Sequence, residues 1–431
     1  VNWHLTPDEA AFIVGDADAR LLVVDPEFEA LGRAAAGERP VVMAGEELDR
    51  ALGALGSRTS GGPVGASPAG GNMFYTSGTT GRPKGVKRAV QPTVAEQLRF
   101  LARSGHPLGL DGSGPHLVTG PLYHAAPLGF AVMDLLNGAP VVLMPRWDPS
   151  AALQLIEDRS IRHTHLVPTM FVRLLRLPQA RREAFDPSSL SVVLHGAAPI
   201  APSVKQQMIE WWGPVLVEYW GASEGGVVTL VDSAGWLAHP GTVGRALPTY
   251  EVYAGDREGN PLPAGTEGLL WCRSRTGKQV FRYHNAPEAT DRAYAGPGTY
   301  TIGDIGYVDA DGWVYLSDRA AHTIISGGVN IYPAEVEAVL IEHPAVADVA
   351  VFGIPNEEWG EEVKAAVEVA EGVEATPALE RELLDFARQR LAGYKVPRSI
   401  DFEPELPRHP TGKLFVRQLR DRYWRDRDRR I

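Results

Sequence analysis

Up to Tyr219, short apolar runs alternate with stretches in which apolar positions recur every three to four residues. The runs Arg20–Asp25, Pro140–Met144, Thr164–Val167, Leu190–Leu194 and Val215–Tyr219 predict buried strands. Between them, Ser150–Asp158 and Ala201–Trp211 predict helices. Near the start, Thr6, Pro7 and Glu9 sign a helix N-terminus: a capping hydroxyl, a first-turn proline and a reciprocal carboxylate. This alternation predicts a largely parallel sheet covered on both faces. From Thr242 to Val314 the rhythm changes. Short strands separated by Asp256–Asn260, Pro263–Gly265 and Asp309–Gly312 turns predict a small antiparallel unit. A compact α+β stretch follows, with a helix opening at Pro333, strands over Val346–Ile354 and Val363–Val369, and a helix over Thr376–Leu391 capped by Thr376. Gly56–Gly71 reads as a surface loop, and Arg417–Arg430 as a solvated helix. The fold class expected is therefore a large α/β N-terminal domain, with mixed, mostly parallel sheets plus a small antiparallel β unit (about 242–316), and a small α+β C-terminal domain.

Length and composition change this picture little. A chain of 431 residues has room for two or three domains. The formal charge of −11 argues against a nucleic-acid partner held by bulk electrostatics, though not against a local anion pocket. Cys272, the single cysteine, rules out an internal disulfide framework and a cysteine-based zinc site, and fits a reducing cytoplasm. No run approaches the roughly 18 apolar residues of a membrane span, so no integral membrane association is expected. His163 and His165 would share one face of a strand. With no cysteine or carboxylate close by in sequence, they are read as structural rather than as a metal pair.

The chemistry concentrates in Tyr75–Val86, YTSGTTGRPKGV, which follows the apolar stub Met73–Phe74 and is expected to precede a helix. Its glycines, Gly78, Gly81 and Gly85, allow tight turns that bring backbone N–H groups to an anion. Thr76, Ser77, Thr79 and Thr80 offer hydroxyl donors, and Lys84 a positive charge. It is not a Walker A loop: Pro83 precedes the lysine, and Gly85 follows where Ser or Thr is required. Further along come Glu218–Glu224 (EYWGASE), His195–Pro199 (HGAAP), Thr301–Asp304 (TIGD), Ser317–Arg319 (SDR), Thr323–Glu337 (TIISGGVNIYPAEVE), Leu391–Pro397 (LAGYKVP) and Leu406–Lys413 (LPRHPTGK).

This ordered series resembles the adenylate-forming superfamily of acyl-CoA synthetases, luciferases and adenylation domains. The resemblance covers essentially the whole chain. It implies that the 76–84 loop (Thr76, Ser77, Gly78, Thr79, Thr80, Gly81, Lys84) holds ATP phosphates, and that Gly196, Ala197, Ala198 and Pro199 line the adenine. Trp220 would stack on that ring beside Gly221, Ala222 and Ser223, and Glu224 would help hold Mg²⁺. Asp304 and Arg319 would reach the ribose, and Lys413 would be the adenylation lysine. Gly327, Gly328, Tyr394 and Lys395 would serve coenzyme A, His124 would gate the acyl pocket, and Ala321 would be the hinge. Three departures stand out: Trp220 where tyrosine is usual, Ile302 inserted where threonine is usual beside Gly303, and Ala321 where Asp or Lys is common. The resemblance also implies division into a large domain, residues 1–319, and a small mobile domain, residues 320–431. The chain begins at Val1 and is short for that superfamily, so a truncated N-terminus is expected.

The activity implied is an ATP-dependent acid–CoA ligase acting on a fatty or steroid-side-chain acid, cytoplasmic, with a homodimer allowed. Two other readings stay open. One is an adenylating enzyme that loads a carrier protein; the other is a non-catalytic nucleotide-binding relative.

Overall fold

A computed structural model describes residues 1–56, 64–76, 83–319, 323–326, 329–356, 359–408 and 414–425. The expected alternation of strand and helix is present. Five strands, Val141–Leu143, His116–Val118, His163–Leu166, Val192–His195 and Leu216–Ala222, lie side by side in parallel register. The antiparallel unit does not stand apart from them. Gly226–Asp232 and Thr242–Ala246 continue the same sheet in antiparallel sense to Trp313–Arg319, Thr299–Val308, Gly268–Ser274 and Tyr250–Gly255. With Tyr294–Gly296 paired on Thr299–Val308, these strands make one twelve-stranded mixed sheet among the described residues.

The parallel part is covered on both sides, as its near-continuous apolar strands require. On one side, Val193 and Leu216 pack with Phe171, Met208 and Trp212 from the helices Pro168–Leu175 and Pro202–Trp212. On the other, Leu194 and Tyr219 meet Phe130 of the helix Ala125–Leu136 and Leu108. The two-residue period of the strands makes this division: in Leu216–Ala222, positions 217, 219 and 221 face one way and positions 216, 218 and 220 the other.

One expectation is corrected. The Tyr75–Val86 motif does not lead into a helix. Met73–Thr76 and Lys84–Arg88 form an antiparallel hairpin, and Phe281–Tyr283 adds a third strand. Gly85 and Val86 are buried while Lys84 and Lys87 are half-buried. A Cβ on Gly85 would come within 3.0 Å of Met73 Sδ and 3.1 Å of the Tyr75 ring, so the position suits a close strand pairing. Within the loop, Ser77, Gly78, Thr79, Thr80 and Gly81 lie outside the described residues, as do 57–63 of the expected Gly/Ser-rich surface loop.

From Ile324 onward the chain builds its own five-stranded sheet. Its core is Val336, Leu340, Val351, Val367, Leu383 and Ile400. The helix Pro377–Arg388 is capped by the Thr376 hydroxyl, which accepts from the Leu379 N–H, as the sequence predicts. No helix among the described residues is long and apolar enough to cross a membrane.

Candidate functional site

A cavity of about 1250 Å³ opens at the end of the parallel strands, on the face covered by Ala125–Leu136. One part of its wall is polar: Thr76 and Lys84 from the hairpin, Ala197 and Ala198 from the loop after Val192–His195, and Gly221 to Glu224 from the end of Leu216–Ala222. The other part is apolar, built by Pro127, Phe130, Met133, Leu108 and Val167. His124 stands at the N-cap of Ala125–Leu136 and lines the cavity, its ring 4.6 Å from that of Tyr123.

The polar wall is organised around Tyr283. Its hydroxyl donates to Glu224 Oε1 at 2.8 Å, and Lys84 Nζ lies 5.5 Å from its ring centre. Glu224 is only 8% exposed, so this bond holds a nearly buried carboxylate at the cavity wall. A carboxylate has lone pairs beyond the one Tyr283 uses, and Mg²⁺ takes one or two carboxylates plus phosphate oxygens and water. Glu224 with Thr76 and Lys84 alongside therefore fits a Mg²⁺–triphosphate. Among the described residues no cluster of three His, Cys, Asp or Glu could cage a metal by protein ligands alone. Glu224→Gln keeps the bond to Tyr283 but removes the charge; nucleotide-dependent turnover should fall by roughly 10²-fold with an unchanged melting temperature, read by pyrophosphate exchange over a Mg²⁺ titration.

The apolar wall contains one polar pair. His165 Nε2 and the Tyr219 hydroxyl are 3.1 Å apart, with the Phe130 ring 5.3 Å and 5.2 Å from the two rings. Burial, with a smaller push from His116, lowers His165 to about 3, so it is neutral. Burial raises the Tyr219 phenol, so that group is neutral too. Tyr219 packs on Gly196: a Cβ there would lie 2.6 Å from the Tyr219 carbonyl oxygen and 3.0 Å from its ring. A backbone oxygen cannot yield easily, and the ring is tied at its far end by His165. Gly196→Ala should thus cost about 1–3 kcal/mol of stability, the overpacking range, and lower adenylation at least tenfold. A thermal melt and a pyrophosphate-exchange assay on the same variant test both.

The expected site residues divide into three groups. Thr76, Lys84, Ala197, Ala198, Gly221, Ala222, Ser223, Glu224 and His124 line one cavity. Pro199 is exposed on the same loop without lining it, and Gly196 is buried behind. Trp220 and Asp304 are together but set back from the cavity: the indole N–H donates to Asp304 Oδ2 at 2.7 Å, and Trp220, 5% exposed, belongs to the core of the antiparallel region. The reason is strand register. The strand runs on to Ala222 rather than stopping at Tyr219, so Trp220 faces away and Tyr219 faces in. Arg319 pairs with Asp304 in backbone register. In the third group, Tyr394 is exposed and Lys395 Nζ is bound to both oxygens of Glu335 at 2.6 and 2.7 Å. Gly327, Gly328, Ala321 and Lys413 lie outside the described residues. Among the described residues, none beyond Ile302 lines the cavity. Sequence reasoning missed Tyr283, Tyr219 and His165. The strand period, carried three residues further to Ala222, would have found Tyr219. Nothing local marks Tyr283, which reaches the site by pairing with Val86.

The geometry can be set beside known proteins. Residues 1–283 match the family model described as AMP-binding enzyme, and residues 335–413 that of the AMP-binding enzyme C-terminal domain. The chain is 34% identical to a feruloyl-CoA synthase of Amycolatopsis sp, covering 98% of this chain and 83% of that protein. It is 32% identical to the fatty acid–[acyl-carrier-protein] ligase ScoC of Streptomyces coeruleorubidus, covering 100% and 83%. Among solved structures, o-succinylbenzoate CoA synthetase from Bacillus subtilis, in complex with its acyl-adenylate intermediate, superposes with a TM-score of 0.77 at 28% identity, over 97% of this chain and 81% of that one. A cavity that sets phosphate-type donors and a buried carboxylate beside an apolar wall is what such an intermediate needs, and the chain belongs to the AMP-binding enzyme family, the adenylate-forming enzymes that use ATP, Mg²⁺ and coenzyme A.

Proposed function

We propose that this protein is an ATP-dependent ligase that joins a carboxylic acid to coenzyme A through an acyl adenylate, in the cytoplasm, and that the acid is a fatty or steroid-side-chain acid. The observation that carries the reading is the single cavity in which Thr76, Lys84 and Glu224 share space with Pro127, Phe130 and Met133. Kinship with CoA ligases supports the reaction class, and the apolar wall supports a hydrophobic acyl group.

In the first half-reaction a carboxylate oxygen attacks the α-phosphorus of ATP in line. The P–O bond to pyrophosphate breaks, and an acyl adenylate forms. Positioning and charge compensation dominate such a step. Lys84 and the 76–81 hydroxyls and amides bind the outer phosphates, and Glu224, oriented by Tyr283, holds Mg²⁺. Bound there, that ion neutralises charge developing on the phosphate oxygens. Ala197 and Ala198 leave room for adenine, and His124 closes the acyl side. Lys413 bridges the carboxylate and α-phosphate. In the second half-reaction the small domain, residues 320–431, turns about Ala321 and withdraws Lys413. Gly327 and Gly328 then admit the pantetheine arm, with Tyr394 and Lys395 near its outer end. The thiolate attacks the acyl carbonyl, and AMP leaves with the bonding pair of the mixed anhydride. Asp304 and Arg319 act at the ribose edge, with Trp220 fixing Asp304 from behind.

A carrier-protein thiol as acceptor is the second reading, favoured by the similarity to ScoC over 100% of this chain and 83% of that protein. AMP release measured over fatty, aromatic and steroid acids, with CoA or a phosphopantetheinylated carrier protein as acceptor, tests both. Turnover confined to small aromatic acids would refute the acid assigned, and turnover only with the carrier protein would refute the acceptor.

A further inference from the structure

On the side of the sheet away from the cavity lies a buried ionic cluster that the chemistry above does not use. Lys205 Nζ is 2.5 Å from Glu218 Oε2, and the Lys205 and Glu218 side chains are 0% and 6% exposed. His195 Nε2 lies 3.9 Å from the same oxygen. Neither nitrogen of the wholly buried His195 ring has a hydrogen-bond partner among the described residues. The Trp236 ring caps Lys205 at 4.9 Å. Burial drives Lys205 down and Glu218 up, each opposed by the charge of the other.

The placement of the three residues is what matters. His195 is the last residue of the strand Val192–His195, and Lys205 sits in the first turn and a half of the helix Pro202–Trp212. The loop between them, 196–201, carries Ala197 and Ala198 into the cavity. Glu218 is paired in register with His195 on the neighbouring strand, five residues before Ser223 and six before Glu224. The Lys205 stem therefore bonds Glu218, while the His195 ring of the other stem, kept neutral by burial and by the Lys205 charge, packs 3.9 Å from the same oxygen. The loop itself is strained: Ala197 has φ of +68°, a left-handed conformation that costs a residue with a Cβ roughly 1–2 kcal/mol. Such strain persists only where the surroundings over-determine it. Apolar residues of equal volume would stabilise this core as well as an ion pair does, because desolvating two charges offsets their attraction. The charge-assisted hydrogen bond from Lys205 to Glu218 adds directionality, which an apolar contact lacks.

We propose that Lys205, Glu218 and His195 form a positioning clamp that fixes the strained 196–201 loop against Leu216–Ala222, and so sets the affinity of the cavity for the adenine nucleotide. The proposal rests on the cavity being the nucleotide site, and AMP binding by the unaltered protein tests that part separately. The test is the double variant Lys205→Met with Glu218→Gln, which removes both charges at nearly constant volume. Its melting temperature should stay within about 4 °C of the parent. Its Kd for AMP, by calorimetry, should rise at least tenfold; in pyrophosphate exchange the KM for ATP should rise in step while kcat changes less than threefold. A folded variant whose AMP affinity and ATP KM stay within twofold overturns the clamp. Should the double variant not fold, Glu218→Gln, which leaves an acceptor facing Lys205, carries the same two readouts. Loss of folding in both would make the cluster a folding element alone, and would equally overturn the proposal.

Discussion

Lys413→Ala should lose adenylate formation by on the order of 10³-fold while forming thioester from a supplied acyl adenylate at close to the parent rate. The step it serves builds negative charge between a carboxylate and the α-phosphate, and removing one well-placed donor from such a site costs about 10²–10³-fold. A full ammonium group belongs at the upper end. On the polar wall Lys84 stands beside Tyr283 and Glu224, with the outer phosphates as its natural partners on the function proposed. On the function proposed above, Lys413 is delivered to the reacting atoms by movement of residues 320–431. On that reading the same movement clears a path for the thiol afterwards, so the second half-reaction should not need the lysine. Pyrophosphate exchange and thioester formation from synthetic acyl adenylate, run on one preparation, separate the two. Equal loss in both half-reactions would remove Lys413 from the role assigned to it.

What was legible in the sequence, and what was not, follows the range of the interactions involved. The parallel strands were readable because burial on both faces forces near-continuous apolar runs. Helix caps such as Thr6 with Glu9 and Thr376 were readable because they are local chemistry. Two errors came from element ends. The strand assigned to Val215–Tyr219 continues to Ala222, and those three residues turn Trp220 out of the cavity and Tyr219 into it. The helix expected after the glycine loop is a strand, because Phe281–Tyr283, some two hundred residues later, pairs with Lys84–Arg88 and no local signal reports that. Tyr283 was invisible for the same reason. So were the partners of the buried histidines: His163 was read as structural but without a carboxylate nearby, and its carboxylate comes from a helix nearly thirty residues earlier.

That carboxylate, Asp134, carries the largest stability effect expected outside the reacting groups. It is 0% exposed, and its Oδ2 accepts from His116 Nδ1 at 3.0 Å and His163 Nδ1 at 2.7 Å, while Oδ1 accepts from the Gly112 N–H at 3.0 Å. An ionised carboxylate can only accept, so both imidazoles present N–H at Nδ1. Asp134→Ala strands two buried imidazoles and a backbone N–H, and should cost about 3–5 kcal/mol, or roughly 3–6 °C in melting temperature for a chain of this size. Burial alone would raise the Asp134 carboxyl, but the bonds from His116 and His163 outweigh it and hold the group well below the usual carboxylate range. The sign follows from linkage. The stabilisation is fully present above the pKa of about 4 that an unfolded aspartate has, and is lost as pH falls through the lower folded value. His165, pushed down to about 3, adds a decline of its own, which begins near pH 6.5 where the unfolded imidazole starts to bind protons. Denaturant midpoints measured from pH 7 to pH 3 should therefore fall continuously in the parent. In Asp134→Ala they should start lower and fall less steeply below pH 4. The helix anchored at Asp134 also carries Pro127, Phe130 and Met133 into the acyl wall, so the same variant should raise the KM for the acid more than that for ATP. An unchanged acid KM in a folded Asp134→Ala protein would confine the His–Asp–His cluster to stability.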